Sequence, residues 1–270
     1  MKRILIISTI LAAAVYLFGS CQKVITINLN DAAPKLIIEG TLTDQLNSCT
    51  VKLSKTVNYN EPNTFPPVSG AVITIADNLG NTAALAETMP GTYTAPAFQG
   101  VPGRNYTLAI TAEGKTYTAL SAMPAPVNID TLVQDSINYG SFGGGGMHVF
   151  VWVIYQDPPN IANYYRFVEV VNHRTNTNIY ISDDELRDGN LITRRISERD
   201  STLSKGDSVS ITLQCIDKNV FTYFDMLDQL SSMGFGGQSA TPANPTYNFD
   251  NGALGYFSAC AVRTKSIVIQ

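Results

Sequence analysis

The chain has 270 residues, with 18 Lys plus Arg against 22 Asp plus Glu and a formal net charge of −4. At 44% hydrophobic and 15% charged it carries enough apolar material for a core of one or two domains, which excludes a disordered chain. The missing basic excess excludes the electrostatic footprint of a nucleic-acid binder, and two histidines and four cysteines leave little metal or nucleophile chemistry.

Lys2 and Arg3 precede an apolar run from Ile4 to Phe18, followed by Gly19, Ser20 and Cys21. A basic start, an apolar stretch and small residues before a cut are the marks of a secretory signal. The run is shorter than the roughly 20 apolar residues of a spanning helix. A cysteine directly after Gly-Ser reads as a lipobox, in which residues 1–20 are removed and Cys21 is acylated. Several acyl chains on one residue anchor stably where a single chain holds marginally. The expected product is an outer-membrane lipoprotein of the cell envelope that contacts the membrane through its lipid and does not span it. Loss of Lys2 and Arg3 leaves 16 basic against 22 acidic side chains, or −6, so the lipid and not the protein surface must hold the body to an anionic bilayer.

Residues 21–34 read as a tether ending in Ala32-Ala33-Pro34. Beyond it, period-two runs bounded by Gly, Pro and Asn predict strands at 36–42, 49–57, 71–76, 82–87, 92–95, 106–112 and 115–120. Tyr106, Leu108, Ile110 and Ala112 share one face of their run, the pattern of a half-buried antiparallel strand. Glu113-Gly114 fits a two-residue hairpin loop. Seven short strands over 35–123 predict an immunoglobulin-like β-sandwich.

Met123-Pro124-Ala125-Pro126 predicts a stiff linker over 124–127 and a separate second domain over 128–270. Strands are predicted there at 129–139, 147–156, 164–172, 178–182, 191–196 and 208–215, with one or two more over 254–269. In 147–156 both faces are apolar, which predicts a strand covered on both sides. Asp217 as N-cap, with Val220, Phe221, Phe224, Leu227 and Leu230 at helical spacing, predicts one helix over about 218–233. The fold class expected is mainly β: a sandwich followed by a β-rich domain containing one helix.

Several segments resemble one family: 33–40 around Leu36-Ile37-Ile38-Glu39-Gly40, "FPPVSGAVITIADNLGN" at 65–81, "GVPGRNYTLAITAEGKTYTALSAMPAP" at 100–126, "IDKNVFTYFDML" at 216–227 and "NGALGYFSA" at 251–259. Together they are similar to the domain of unknown function 4249, a family of Bacteroidota envelope lipoproteins, from about Cys21 to Ile269. The resemblance implies an N-terminal sandwich similar to carboxypeptidase-regulatory domains and a setting beside TonB-dependent outer-membrane transporters. It supplies no catalytic residues.

The residues themselves suggest no enzyme and no cofactor. Gly-x-Ser-x-Gly and Walker A motifs are missing. Gly143–Gly146 lacks the Lys-Ser/Thr of a phosphate loop and reads as a flexible hairpin. His148 shares a strand face with Phe150 and Trp152, and His173 sits in a polar turn. Neither has a ligand partner at zinc spacing. Asp183, Asp184 and Asp188, with Glu185, form an acidic group that offers oxygens to calcium. Leu186 falls where an EF-hand needs an oxygen, and a solvated hairpin tip at Asp188-Gly189-Asn190 is the simpler account. With Cys21 lipidated, Cys49, Cys215 and Cys260 remain, an odd number; a Cys215–Cys260 bridge and two buried free thiols both stay open.

Loop aromatics are the remaining signal. Tyr59 and Phe65 lie in the Pro- and Asn-rich stretch 58–69, and Phe235, Tyr247 and Phe249 in the Gly- and Pro-rich stretch 234–252. They serve either as partner or ligand contacts or as plugs under their own loops. The function expected is a non-catalytic accessory or binding partner of a TonB-dependent transporter. A structural or adhesive surface protein is the alternative, and an envelope hydrolase ranks below both.

Overall fold

A computed structural model describes residues 33–58, 61–62, 64–138, 146–196, 203–232 and 245–270. The protein is mainly β. In chain order the elements are β1 (Leu36–Thr43), β2 (Thr50–Lys55), β3 (Val72–Asp77), β4 (Thr82–Met89), β5 (Thr92–Thr94), β6 (Asn105–Ala112), β7 (Lys115–Ala122), β8 (Thr131–Asn138), β9 (Met147–Gln156), β10 (Tyr164–Val171), β11 (Arg174–Thr175), β12 (Tyr180–Asp183), β13 (Leu191–Ile196), β14 (Ser208–Ile216), α1 (Lys218–Ser232) and β15 (Leu254–Val268). No helix among the described residues is long and apolar enough to cross a membrane.

The predicted local signals hold. Leu36, Ile38, Gly40 and Leu42 of β1 are buried at alternate positions, as are Tyr106, Leu108, Ile110 and Ala112 of β6. Glu113 and Gly114 both take positive φ, 52° and 76°, as a type I′ turn between β6 and β7 requires. Asp217 caps α1: its Oδ1 accepts the Val220 N–H at 3.0 Å. One strand pair escapes the pattern, since β11 has only two residues.

The expected separation at 124–127 does not exist. A 12-stranded sheet runs in the order β11-β10-β14-β15-β1-β2-β5-β4-β3-β6-β7, with β12 also paired to β10. The crossing point is β15, whose residues Leu254–Cys260 run parallel to β1 while Ala261–Val268 run antiparallel to β14. Fifteen residues extend about 50 Å at about 3.3 Å each, long enough to serve both halves. One apolar cluster likewise holds Ile38, Leu53 and Leu108 together with Tyr155, Phe167 and Leu213. Residues 34–270 therefore form a single compact unit, because the first half takes its final strand from the C-terminal end.

Within this unit the sheet folds over on itself, and Gly40 of β1 lies against Leu108 of β6 and Phe257 of β15. A second sheet, β13-β9-β8, lays Val151, Val153, Tyr155 and Ile192 into the main core, where Tyr155 meets Tyr165 edge-on at 5.0 Å. Its other face is covered only in part: Phe150 is fully buried beneath the Arg195 guanidinium, while Trp152 and Ile154 are half-buried.

Helix α1 covers the outer face of the β10–β14–β15 region. Val220 and Phe224 pack with Ile216 and Cys260, flanked by Tyr164, Tyr223 and Tyr256. The Arg166 guanidinium sits 4.2 Å above the Phe224 ring. Cys215 and Cys260 are free and lie on opposite faces of the sheet. Cys215 is opposite Ala261 and faces the main core, so the preceding residue of β15 must face α1. No disulfide joins them.

Candidate functional site

Strand β7 ends the long sheet, and a free edge there would expose a row of backbone donors and acceptors. The segment 248–251 closes it with side chains. Asp250 accepts the Thr118 N–H at 2.6 Å and returns its own N–H to the Thr118 carbonyl at 3.0 Å. Asn248 donates to the Leu120 carbonyl at 3.1 Å, and Asn251 donates to the Thr116 carbonyl at 2.7 Å. Asn248 also holds both backbone groups of Phe257, so the same residue ties β7 to β15. At the end of the strand, Asp217 accepts the Ala122 N–H at 3.2 Å and the Ser121 hydroxyl, while it caps α1.

These contacts leave a groove of about 580 Å³ between α1 and the capped edge. Thr118 and Leu120 of β7, Asn219 and Thr222 of α1, and Thr246 to Asp250 line it. Leu120 is 63% exposed and Tyr247 38%, so the groove offers an aliphatic and a phenolic surface among hydroxyls and amides. Its size is that of a ligand or side-chain pocket.

The predicted contact residues part company here. Tyr247 lines the groove and is accessible. Phe249 is 5% exposed and belongs to the main core, so it anchors its loop. Phe65 is 49% exposed but is not among the lining residues; its loop runs beside β2, where Pro67 bridges Ser54. Tyr59, Phe235 and the expected lipidation site Cys21 lie outside the described residues. Sequence reasoning missed Leu120, Asn248 and Asp250. The signal for the last two was the alternation Asn248-x-Asp250, which matches the two-residue repeat of the strand that they cap.

The acidic group is arranged differently from the expectation. Asp183 belongs to β12 and stands apart, while Asp184 and Asp188 converge with Asp157, their carboxylate oxygens all within 4.8 Å of one another. Asp184 is buried and Asp157 fully so, while Glu185 to Asp188 and Asn190 are exposed, as expected of a solvated tip. Each carboxylate already accepts a backbone N–H: Gly189 to Asp157 at 3.0 Å, Asn163 to Asp184 at 2.8 Å and Asn160 to Asp188 at 2.8 Å. Asp157 also accepts the Tyr165 hydroxyl, and burial together with that carboxylate pushes the phenol far up. One convergent oxygen from each of the three gives half or fewer of the six to eight oxygens of a calcium site. Their observed bonds tie the 157–163 loop to the 184–190 loop.

The histidines lie elsewhere, His148 in β9 and His173 in the turn after β10 at φ 67°. Burial pushes the thiols of Cys49, Cys215 and Cys260 up to about 12, far from nucleophilic.

The family described as Domain of unknown function (DUF4249) matches residues 22–266 of the chain. No curated protein matches it.

Proposed function

The chain belongs to the DUF4249 family, and on that premise we propose that it is a non-catalytic binding protein of the cell envelope. In this reading an acylated Cys21 holds it at the outer membrane, where it serves as an accessory partner of a TonB-dependent transporter. The observation that carries the reading is the groove beside α1. Its described lining is made of hydroxyls, amides, Leu120, Tyr247 and the edge of Phe249, and the one carboxylate among these residues, Asp250, is engaged by the Thr118 N–H. Such a surface suits contact through side chains, with an aromatic anchor and few ion pairs. The tether adds reach. Residues 22–34 span at most about 3.5 Å each, so the body can sit beside a neighbour in the same leaflet at high effective concentration.

The test is co-purification from mild-detergent envelope extracts. Leu120→Ala with Tyr247→Ala should keep the melting temperature and reduce recovery of a transporter several-fold; Phe249 is left alone because it is core. Mass spectrometry of the wild-type protein should show acyl chains on Cys21, and Cys21→Ala should release the body from the membrane fraction. Undiminished partner recovery from the double variant removes the groove from the reading. An unmodified Cys21 removes the anchor, and the absence of any transporter in wild-type extracts turns the reading towards a structural or adhesive role.

A further inference from the structure

A second cleft, of about 370 Å³, opens on the opposite flank of α1, between the helix, β12 and β13. Phe221, Asp225 and Asp228 line it from the helix, Ile179 and Ile181 from the β12 side, and Arg194 from β13. Arg194 is half-buried, and its Nε is fully enclosed with no hydrogen-bond partner. None of its five donors is used by the described residues, and no carboxylate lies within the 4.0 Å of an ion pair. The neighbouring Arg195, on the other face of the strand, has its guanidinium 4.7 Å above the Phe150 ring. The enclosed Nε has lost its hydration and has no acceptor among the described residues, which costs free energy, while the rest of the half-buried guanidinium is left to meet a ligand.

Across the cleft stands complementary charge. Asp225 and Asp228 are one helical turn apart; Asp225 accepts the Gln229 side-chain amide at 2.8 Å, and no cation among the described residues pairs with either carboxylate. Burial and then the Asp225 charge hold the Asp228 carboxyl above its ordinary value, while Arg194 pulls the other way. Burial lowers Arg194. The two groups thus sense each other's charge without closing the gap. Ile179, Ile181 and Phe221 add an apolar wall beside them.

We propose that this cleft binds a small zwitterion, an α-amino acid with an apolar side chain. Arg194 takes the carboxylate in a bidentate pair, Asp228 with Asp225 takes the ammonium, and the side chain lies against Ile179, Ile181 and Phe221. A simple anion is disfavoured, because the described lining residues carry four carboxylates and two guanidinia. A simple cation leaves Arg194 unanswered. Only a ligand with both charges satisfies both sides, and the volume falls in the range of small-molecule sites, about 300 Å³ upward. The site is independent of the groove at β7.

Isothermal titration calorimetry on the purified full-length protein in mild detergent tests this with L-leucine, N-acetyl-L-leucine and L-leucinamide. Leucine should bind saturably, and each blocked analogue at least tenfold more weakly. Arg194→Gln and Asp228→Asn should each weaken leucine binding tenfold or more at unchanged melting temperature, and Arg194→Lys should recover part of the loss. If Arg194→Gln does not fold, Asp228→Asn and the two analogues decide the matter. The proposal is overturned if leucine does not bind the wild type, if N-acetyl-leucine or leucinamide binds as tightly as leucine, or if folded variants bind unchanged.

Discussion

Asp44 and Arg263 are 219 residues apart in the chain and 2.7 Å apart in the fold. Asp44 follows β1 directly, and Arg263 lies in the part of β15 that pairs with β14. The Val262 N–H reaches the other carboxylate oxygen at 2.9 Å, so Asp44 clamps β15 just past the point where it leaves β1. Removing the carboxylate orphans the Val262 N–H and leaves Arg263 Nη1 only the Val262 carbonyl. Asp44→Ala should cost about 2 kcal/mol, the scale of hydrogen bonds to a charged group, read as a fall in the urea midpoint at constant slope.

A fragment spanning 35–123 should not reach its native state alone. Without β15 it leaves one edge of β1 unpaired and strips Phe257 from the core beside Gly40. An amide spectrum should show poor dispersion, and adding a peptide of residues 245–270 should restore it if the missing strand is the cause. A dispersed β spectrum from 35–123 alone contradicts this account.

Gly255 takes φ +99° opposite Ile38, and a Cβ there would lie 2.0 Å from the Ile38 carbonyl oxygen. Gly255→Ala combines a backbone clash with a disallowed φ, so thermal unfolding should report a loss above about 3 kcal/mol. Gly114→Ala also has positive φ but meets no atom within 4 Å, and should cost clearly less.

Acid should loosen the turns of the first half. Burial raises the Asp77 carboxyl, but Asn81, the Leu79 N–H and Arg104 outweigh it and hold it at about 2, below its ordinary 3.8. Ser69, with the Gly70 and Gly91 N–H groups, holds Glu87 at about 2 from an ordinary 4.5. Both groups bind fewer protons folded than unfolded. Their contribution is complete above about pH 4.5 and is lost as pH falls towards 2. Urea midpoints measured between pH 6 and pH 2 should drop across that window, and Asp77→Asn should flatten the drop.

The thiols should be silent. With Cys49, Cys215 and Cys260 buried and held near 12, iodoacetamide at pH 8 should leave all three unmodified in the folded protein and alkylate them once it is unfolded in urea. Peptide mapping separates them from Cys21. Ready labelling of any of the three in the native protein would contradict the buried placement.

Local structure was legible because local rules produce it. The alternation Tyr106, Leu108, Ile110 marked β6, the Glu113-Gly114 pair marked its hairpin, and Asp217 with Val220 and Phe224 marked α1. Pairing was not legible. A period-two run announces a half-buried strand but does not name its neighbour, so the parallel match of β1 with β15 left no trace and Pro124–Pro126 was read as a boundary. The site divided the same way. Loop aromatics pointed at Tyr247, but burial decides a role, and Phe249 went inward. Asp157 precedes two prolines, a turn signal that hid its place beside Asp184 and Asp188. Arg194 alternates with residues whose partners all lie elsewhere in the chain.

The long final strand also governs timing. Synthesis runs from the N-terminus, so β1 exists for more than two hundred residues before its parallel neighbour is made. Through that interval the nascent chain presents an open strand edge and a partly built core, the surfaces on which unfinished β proteins associate wrongly. Closing a loop of that length is a late, non-local step. A chain cut short ahead of Leu254 lacks the strand that pairs with both β1 and β14, so it should be unfinished throughout and not merely shortened.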